Sequence, residues 1–179
     1  AGLSGFALIP RATLEIPGSQ RRLERIIRLL HRCRYSVHDL SRVELDPTPP
    51  ATPRFNMPFE LGVFLGADRF GQAWVGQKAC TIFDREAFRY QRALSDIAGQ
   101  DIRAHGCDPG RASSETRLWL SHHLGAGTQI PGATAIWTMY QEFEAELPAL
   151  AAASMRDSRD LTFLERRHLA TEWLRRRLA

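Results

Sequence analysis

The sequence predicts an α/β protein built on an open, mainly parallel sheet, with additional helices toward its C-terminal end. Three observations predict it. Short apolar runs alternate with helical periodicity in the first part of the chain, which is the rhythm of parallel strands joined by crossover helices. Turn and proline signals separate those segments. From Ser113 onward the pattern becomes helical throughout, leaving the β-α rhythm. At 179 residues the chain is long enough for one sizeable hydrophobic core and short for two independent ones.

The elements follow in order. Phe6, Ala7, Leu8 and Ile9, bounded by Gly5 and Pro10, suit a short buried strand. Pro17-Gly18-Ser19 then offers a turn and an N-cap for a helix with Leu23, Ile26, Ile27 and Leu30 at i, i+3, i+4 and i+7. Its other face, Arg21, Arg22, Arg25, Arg28 and Arg32, reads as a solvated stripe rather than the phosphate-facing one that is its alternative. Tyr35 to Asp39 alternate as a strand does. The prolines at 47, 49, 50 and 53 exclude helix and give a long loop. Asn56 is placed to cap a helix through Phe59, Leu61, Val63, Phe64 and Leu65, with Pro58 tolerated in its first turn. Residues 78–84 read as a further strand, apolar in the middle and ending in Asp84. Three helical segments follow, around 118–120, 136–150 and 161–178. The expected organisation is an α/β core over residues 1–110 and a helical extension over 111–179, packed on that core.

Composition narrows the class. No run of about 18 uncharged apolar residues exists to span a bilayer, and no basic-then-apolar leader opens the chain. Cys33, Cys80 and Cys107 are odd in number, widely spaced and in no metal-ligand pattern, so a reduced cytoplasmic setting is expected, without metal or cofactor. His122 and His123 are adjacent rather than a helical turn apart, which does not make a metal site. The net charge is +4, and every basic residue but Lys78 is arginine. Because these arginines are spread among comparable numbers of acids, direct nucleic-acid binding is not expected. Trp119, Trp137, Tyr140, Phe143 and Trp173 recur on helical faces and read as packing residues, with a homodimer expected to cover an apolar face of the C-terminal helices.

The chemistry-bearing residues gather around two strand ends and one helix start. Open parallel sheets bind ligands beyond the carboxyl ends of their strands, which is where Asp39 and Asp84 fall. A carboxylate such as Glu60, read in the first turn of a helix, meets unsatisfied N–H groups and the positive dipole end. It is then either a ligand-facing group or simply a dipole-stabilising one. Asn56 is a cap or a ligand contact. Arg54 clamps a phosphate or pairs with Glu44 or Asp46. His38 lies beside Asp39, so it faces the other side of the sheet and reads as structural. Asp96, Gln100, Asp101 and His105 form a polar stretch without an assignable role.

One longer pattern ties these residues together. Cys33-Arg34-Tyr35-Ser36-Val37-His38-Asp39-Leu40-Ser41, followed after the loop by Pro53-Arg54-Phe55-Asn56-Met57-Pro58-Phe59-Glu60-Leu61-Gly62, resembles the nucleoside 2-deoxyribosyltransferase-like group. There a strand ending in Asp-Leu-Thr/Ser precedes a loop, an Asn and a helix opening on Glu-Leu-Gly. The wording is closer still to an uncharacterised bacterial family that also shares Phe83-Asp84-Arg85-Glu86 and the stretch from Tyr90 to Ile102. The resemblance implies a flavodoxin- or Rossmann-like sheet and a nucleoside, nucleotide or NAD-like ligand. It implies cleavage or exchange of an N-glycosidic bond, with Glu60 and Asp39 as catalytic carboxylates. In the related transferases the matching Glu is the nucleophile, and in similar Toll/interleukin-1 receptor-type NAD-cleaving domains a comparably placed Glu is essential. Ser41, Arg54, Asn56, Met57 and Asp84 would hold the ligand. The chain departs from the pattern by starting at what corresponds to the related enzymes' second strand, so either it is shortened or another subunit completes the pocket. The alternative reading is a non-catalytic nucleotide sensor or interaction module of a bacterial defence or stress system.

Overall fold

The computed structural model describes residues 8–15, 21–45, 48–49, 51–72, 77–100, 102–125 and 127–178. The chain forms two compact units, one of Leu23–Ile130 and one of Ala1–Arg22 with Pro131–Ala179. The boundary expected near residue 110 therefore moves, and the physical reason is the helix that follows it.

In the Leu23–Ile130 unit, α1 (Arg22–Arg32) leads into β1 (Tyr35–Asp39), α2 (Asn56–Phe70), β2 (Ala79–Asp84), β3 (Ile102–Ala104) and α3 (Pro109–Leu124). The three strands are parallel in the order β1-β2-β3, so the fold is α/β with an open parallel sheet. Register places Tyr35 opposite Ala79 and Ile82 opposite Ile102. Side chains alternate across a strand. Ser36, His38, Cys80, Ile82 and Asp84 thus share one face, while Tyr35, Asp39, Phe83 and Arg103 share the other. α2 covers the first, with the Phe64 ring 5.5 Å from that of His38. Leu40, Leu61, Ile82 and Tyr90 form the core there. α3 covers the second, through an edge-to-face contact of Tyr35 with Trp119 at 5.8 Å and an Arg103–Glu115 ion pair at 2.8 Å. These contacts make α3 part of the sheet unit rather than of a C-terminal extension.

α1 buries Ile26 and Leu30, whereas Leu23 and Ile27 on the same predicted face stay about half exposed. Its C-terminal carbonyls are held by Lys78, a residue from the far side of α2. The Lys78 ammonium donates to the carbonyls of Leu30 at 2.9 Å, His31 at 3.1 Å and Cys33 at 2.5 Å, and lies over the Phe64 ring. A cation at a helix C-terminus satisfies orphan carbonyls and the negative dipole end together. The expected Ser19 cap lies outside the described residues.

The other unit contains a 3-10 turn (Thr13–Glu15), α4 (Ala133–Ala153) and α5 (Phe163–Leu178). Phe143 and Leu147 pack against Leu169 and Trp173 between the two helices. Thr162 and Glu165 form a reciprocal capping box at the start of α5, with the Thr162 N–H donating to Glu165 at 2.9 Å and the Glu165 N–H to Thr162 at 3.3 Å. The strand expected at residues 6–9 is not formed by its described half. Phe6 and Ala7 lie outside the described residues; Leu8 and Ile9 are irregular and exposed, and the Pro10 carbonyl accepts from Arg167 on α5 instead of a strand partner. No helix among the described residues is long and apolar enough to cross a membrane.

Candidate functional site

The carboxyl ends of the strands open onto one edge, where the chain is heavily bonded as it leaves the sheet. Leu40, just past β1, donates its N–H to the Phe83 carbonyl at 2.7 Å, and His105, just past β3, donates its N–H to the Asp84 carbonyl at 2.9 Å. These two bonds continue the sheet for one residue and fix the starting points of the exit loops. Asp39 and Asp84 both stand at this edge, as their strand positions predict, but on opposite faces.

Asp39 faces the α3 side with its side chain about half exposed. Its Oδ1 accepts the Ser41 N–H at 2.9 Å and lies 3.3 Å from His105 Nε2. The other His105 nitrogen, Nδ1, accepts the Cys107 N–H at 3.0 Å. An acceptor nitrogen carries no proton, so the neutral ring has its proton on Nε2, directed at Asp39. Partial burial pushes the Asp39 carboxyl upward, but the Ser41 hydrogen bonds and the His105 interaction outweigh it and hold the group below the ordinary carboxylate range. The result is an ionised, oriented carboxylate at an open strand end. The His105 ring is itself almost buried and packs edge-on to Phe83 at 5.9 Å.

Asp84 behaves differently. It is fully buried, and its Oδ1 accepts from the Arg85 N–H at 2.7 Å and from Arg89 Nε at 2.9 Å. Arg89 also donates to the Leu40 carbonyl at 2.7 Å, so the pair bolts the β1 exit to the β2 exit. The expectation that Asp84 touches ligand is corrected on this ground: a carboxylate without exposed surface and engaged by a guanidinium anchors the edge. Met57 is corrected likewise, since its side chain packs on the Leu40, Leu61, Ile82 and Tyr90 core.

The start of α2 also differs from expectation. Phe55 already has helical backbone angles (φ −85°, ψ −6°) and no side chain caps the helix, so Asn56 is its first helical residue rather than its cap. The Phe59 N–H is bonded to the Phe55 carbonyl at 2.9 Å. Glu60 therefore sits one turn inside the helix, beyond the unsatisfied N–H groups, where the dipole effect has faded. It is half-buried beside Leu61, while Arg54 and Asn56 are exposed in the approach to α2 and Ser41 is half-buried in the loop after β1. No family model, curated protein or solved structure matches the chain. The site must therefore be read from its own geometry.

His105 and Arg89 complete the edge; the sequence marks His105 only as part of a polar stretch without an assignable role, and does not mark Arg89. Position carries the signal for His105: it follows Ile102–Ala104 and precedes Gly106 and the Asp108-Pro109 helix start, where Asp108 accepts from the N–H groups of Gly110 at 2.8 Å and Arg111 at 3.2 Å. Backbone strain marks the same edge. Phe88, after β2, and Cys107, after β3, adopt left-handed φ of 62° and 60°. Non-glycine residues held there cost of order 1 kcal/mol or more and cluster at functional sites. Among the described residues no group of three or more His, Cys, Asp or Glu side chains is arranged to hold a metal ion.

Proposed function

We propose that the Leu23–Ile130 unit binds a nucleoside, nucleotide or NAD-like molecule at the carboxyl edge of its sheet and cleaves or exchanges the N-glycosidic bond. The observation that carries this reading is Asp39: a half-exposed carboxylate held ionised by Ser41 and aligned by His105 Nε2, at the edge where open parallel sheets receive their ligands. Such a group suits two tasks, accepting hydrogen bonds from sugar hydroxyls and opposing the positive charge that grows on the sugar ring as the base departs. Glu60, by its resemblance to the transferase nucleophile, attacks the anomeric carbon; the base leaves with the bonding electron pair, and water or a second base then displaces the carboxylate.

The test is incubation with purine and pyrimidine nucleosides, their 2-deoxy forms and NAD, with chromatography for free base. Release of base by the wild type, lost in both Asp39→Asn and Glu60→Gln with the fold retained, supports the reading. Equal release by wild type and Glu60→Gln removes Glu60 from the chemistry. Ligand-induced thermal stabilisation without any product identifies a sensor instead.

A further inference from the structure

A cavity lies on the same unit, and Asp39 is not among the residues that line it. β3 begins only at Ile102, opposite Ile82, so it does not run alongside the earlier half of β2, where Cys80 stands. A cavity of about 240 Å³ opens beside this bare stretch, and Cys80, Gln100, Arg103, Trp119, His122 and His123 line it. Its lining is a cluster of donors with little acid. The Arg103 side chain is largely buried and bonds Glu115 at 2.8 Å. His123 is fixed from two sides, its ring 4.8 Å from Trp119 and its carbonyl accepting the Tyr35 hydroxyl at 3.2 Å.

We infer that this cavity is a binding site for a small oxyanion, a sulfate, phosphate or carboxylate group, received between Arg103, His122 and His123. Around it β1 and its approach contribute Arg34 and Tyr35, β2 contributes Cys80, β3 contributes Arg103, and α3 contributes Glu115 and His122. Three of these are potential cations, and Glu115 is the carboxylate among them. Burial first, then the charges of His122 and Arg34, hold the His123 imidazole below its ordinary range. Burial pushes the Cys80 thiol up to about 11, so it adds no negative charge of its own. An anion here relieves that repulsion and takes up a proton with it, because the protonated imidazoles bind it better than the neutral ones. Arg103 supplies a permanent charge with planar donors suited to an oxyanion.

The probe is inorganic sulfate, which stays doubly charged across the relevant pH range. Imidazole resonances are followed by NMR from pH 5 to 8, with sodium sulfate replacing sodium chloride at constant ionic strength. His31 and His168, which do not line the cavity, serve as internal controls. The expected result is a saturable rise of the His122 and His123 midpoints by about half a unit, a roughly threefold preference for the protonated forms, with His31 and His168 unmoved. In His122→Gln the effect on His123 shrinks, and in His123→Gln the effect on His122 shrinks. Equal movement of all four histidines, or none, overturns the site. Both substitutions fall at exposed positions, and the wild-type titration stands without them. The outcome is independent of whether the Asp39 edge turns over a nucleoside.

Discussion

His38 makes the stability of the sheet unit depend on pH in a calculable way. The ring is only 2% exposed, its Nε2 is 2.7 Å from the Ser36 hydroxyl, and its Nδ1 has no hydrogen-bond partner among the described residues. Protonation would bring a second N–H donor and a charge into a buried site where Nδ1 meets no acceptor among the described residues. Burial accordingly lowers its pKa from 6.5 to about 4. The folded value lies below the unfolded one, so its stabilising contribution is complete above about pH 6.5 and is lost as pH falls toward 4, since the unfolded chain then binds the extra proton. Between pH 7 and pH 5 the loss is about 2 kcal/mol, roughly a 20-fold rise in the open population. Carboxylates contribute little over that interval. Hydrogen exchange at the Leu40 amide, bonded to the Phe83 carbonyl across β1 and β2, reads the opening of this unit by itself. Once intrinsic exchange is corrected for, protection should fall by about that 20-fold factor more in the wild type than in His38→Gln. Equal pH dependence in both proteins would refute the assignment of the proton to His38.

Four further outcomes are expected. Lys78→Met should destabilise the unit by about 1–3 kcal/mol in the same exchange measurement, because three carbonyls at the end of α1 lose their donor. Phe88→Asn should raise thermal stability by about 1 kcal/mol, since the ring is largely exposed and asparagine tolerates the left-handed φ of 62°; a lower melting temperature would show that the ring is needed where it stands. Asn56→Ala should alter stability by less than about 0.5 kcal/mol, as an exposed residue that caps nothing, and a cost above 1 kcal/mol in a urea titration would restore its capping role. Light scattering at high micromolar concentration should give a dimer mass if exposed Leu164, Leu174 and Leu178 on α5 bind a second copy, and a monomer mass would end that expectation.

The parts of this fold that could be read in advance are those where local pattern and tertiary environment agree. β1 matches its expected bounds because alternation from Tyr35 to Asp39 is paired with real burial of His38 on one side. β2 begins one residue later than expected, at Ala79, since Lys78 turns its side chain to α1. β3 was illegible: Ile-Arg-Ala is three residues without an apolar run, and only pairing with β2 makes it a strand. The same holds for the site. Asp39 and Asp84 look equivalent as strand-terminal acids, yet register puts them on opposite faces, and an arginine five residues along claims Asp84. The partnership of Asp39 with His105, 66 residues away, depends on a strand the sequence does not announce.

The way Lys78 is held has a use beyond its effect on α1. It is the one side-chain primary amine in the sequence, and its nitrogen is enclosed by three carbonyl oxygens under the Phe64 ring. Burial lowers its pKa, with nearby Cys33 and Asp68 pulling back only in part. An acylating reagent needs the uncharged nitrogen lone pair in contact with solvent, and here that requires α1 to come away from the start of β2. Amine labelling of this chain therefore reports that separation: modification at position 78 accumulates in proportion to the open fraction of the joint, with no other lysine to blur the signal.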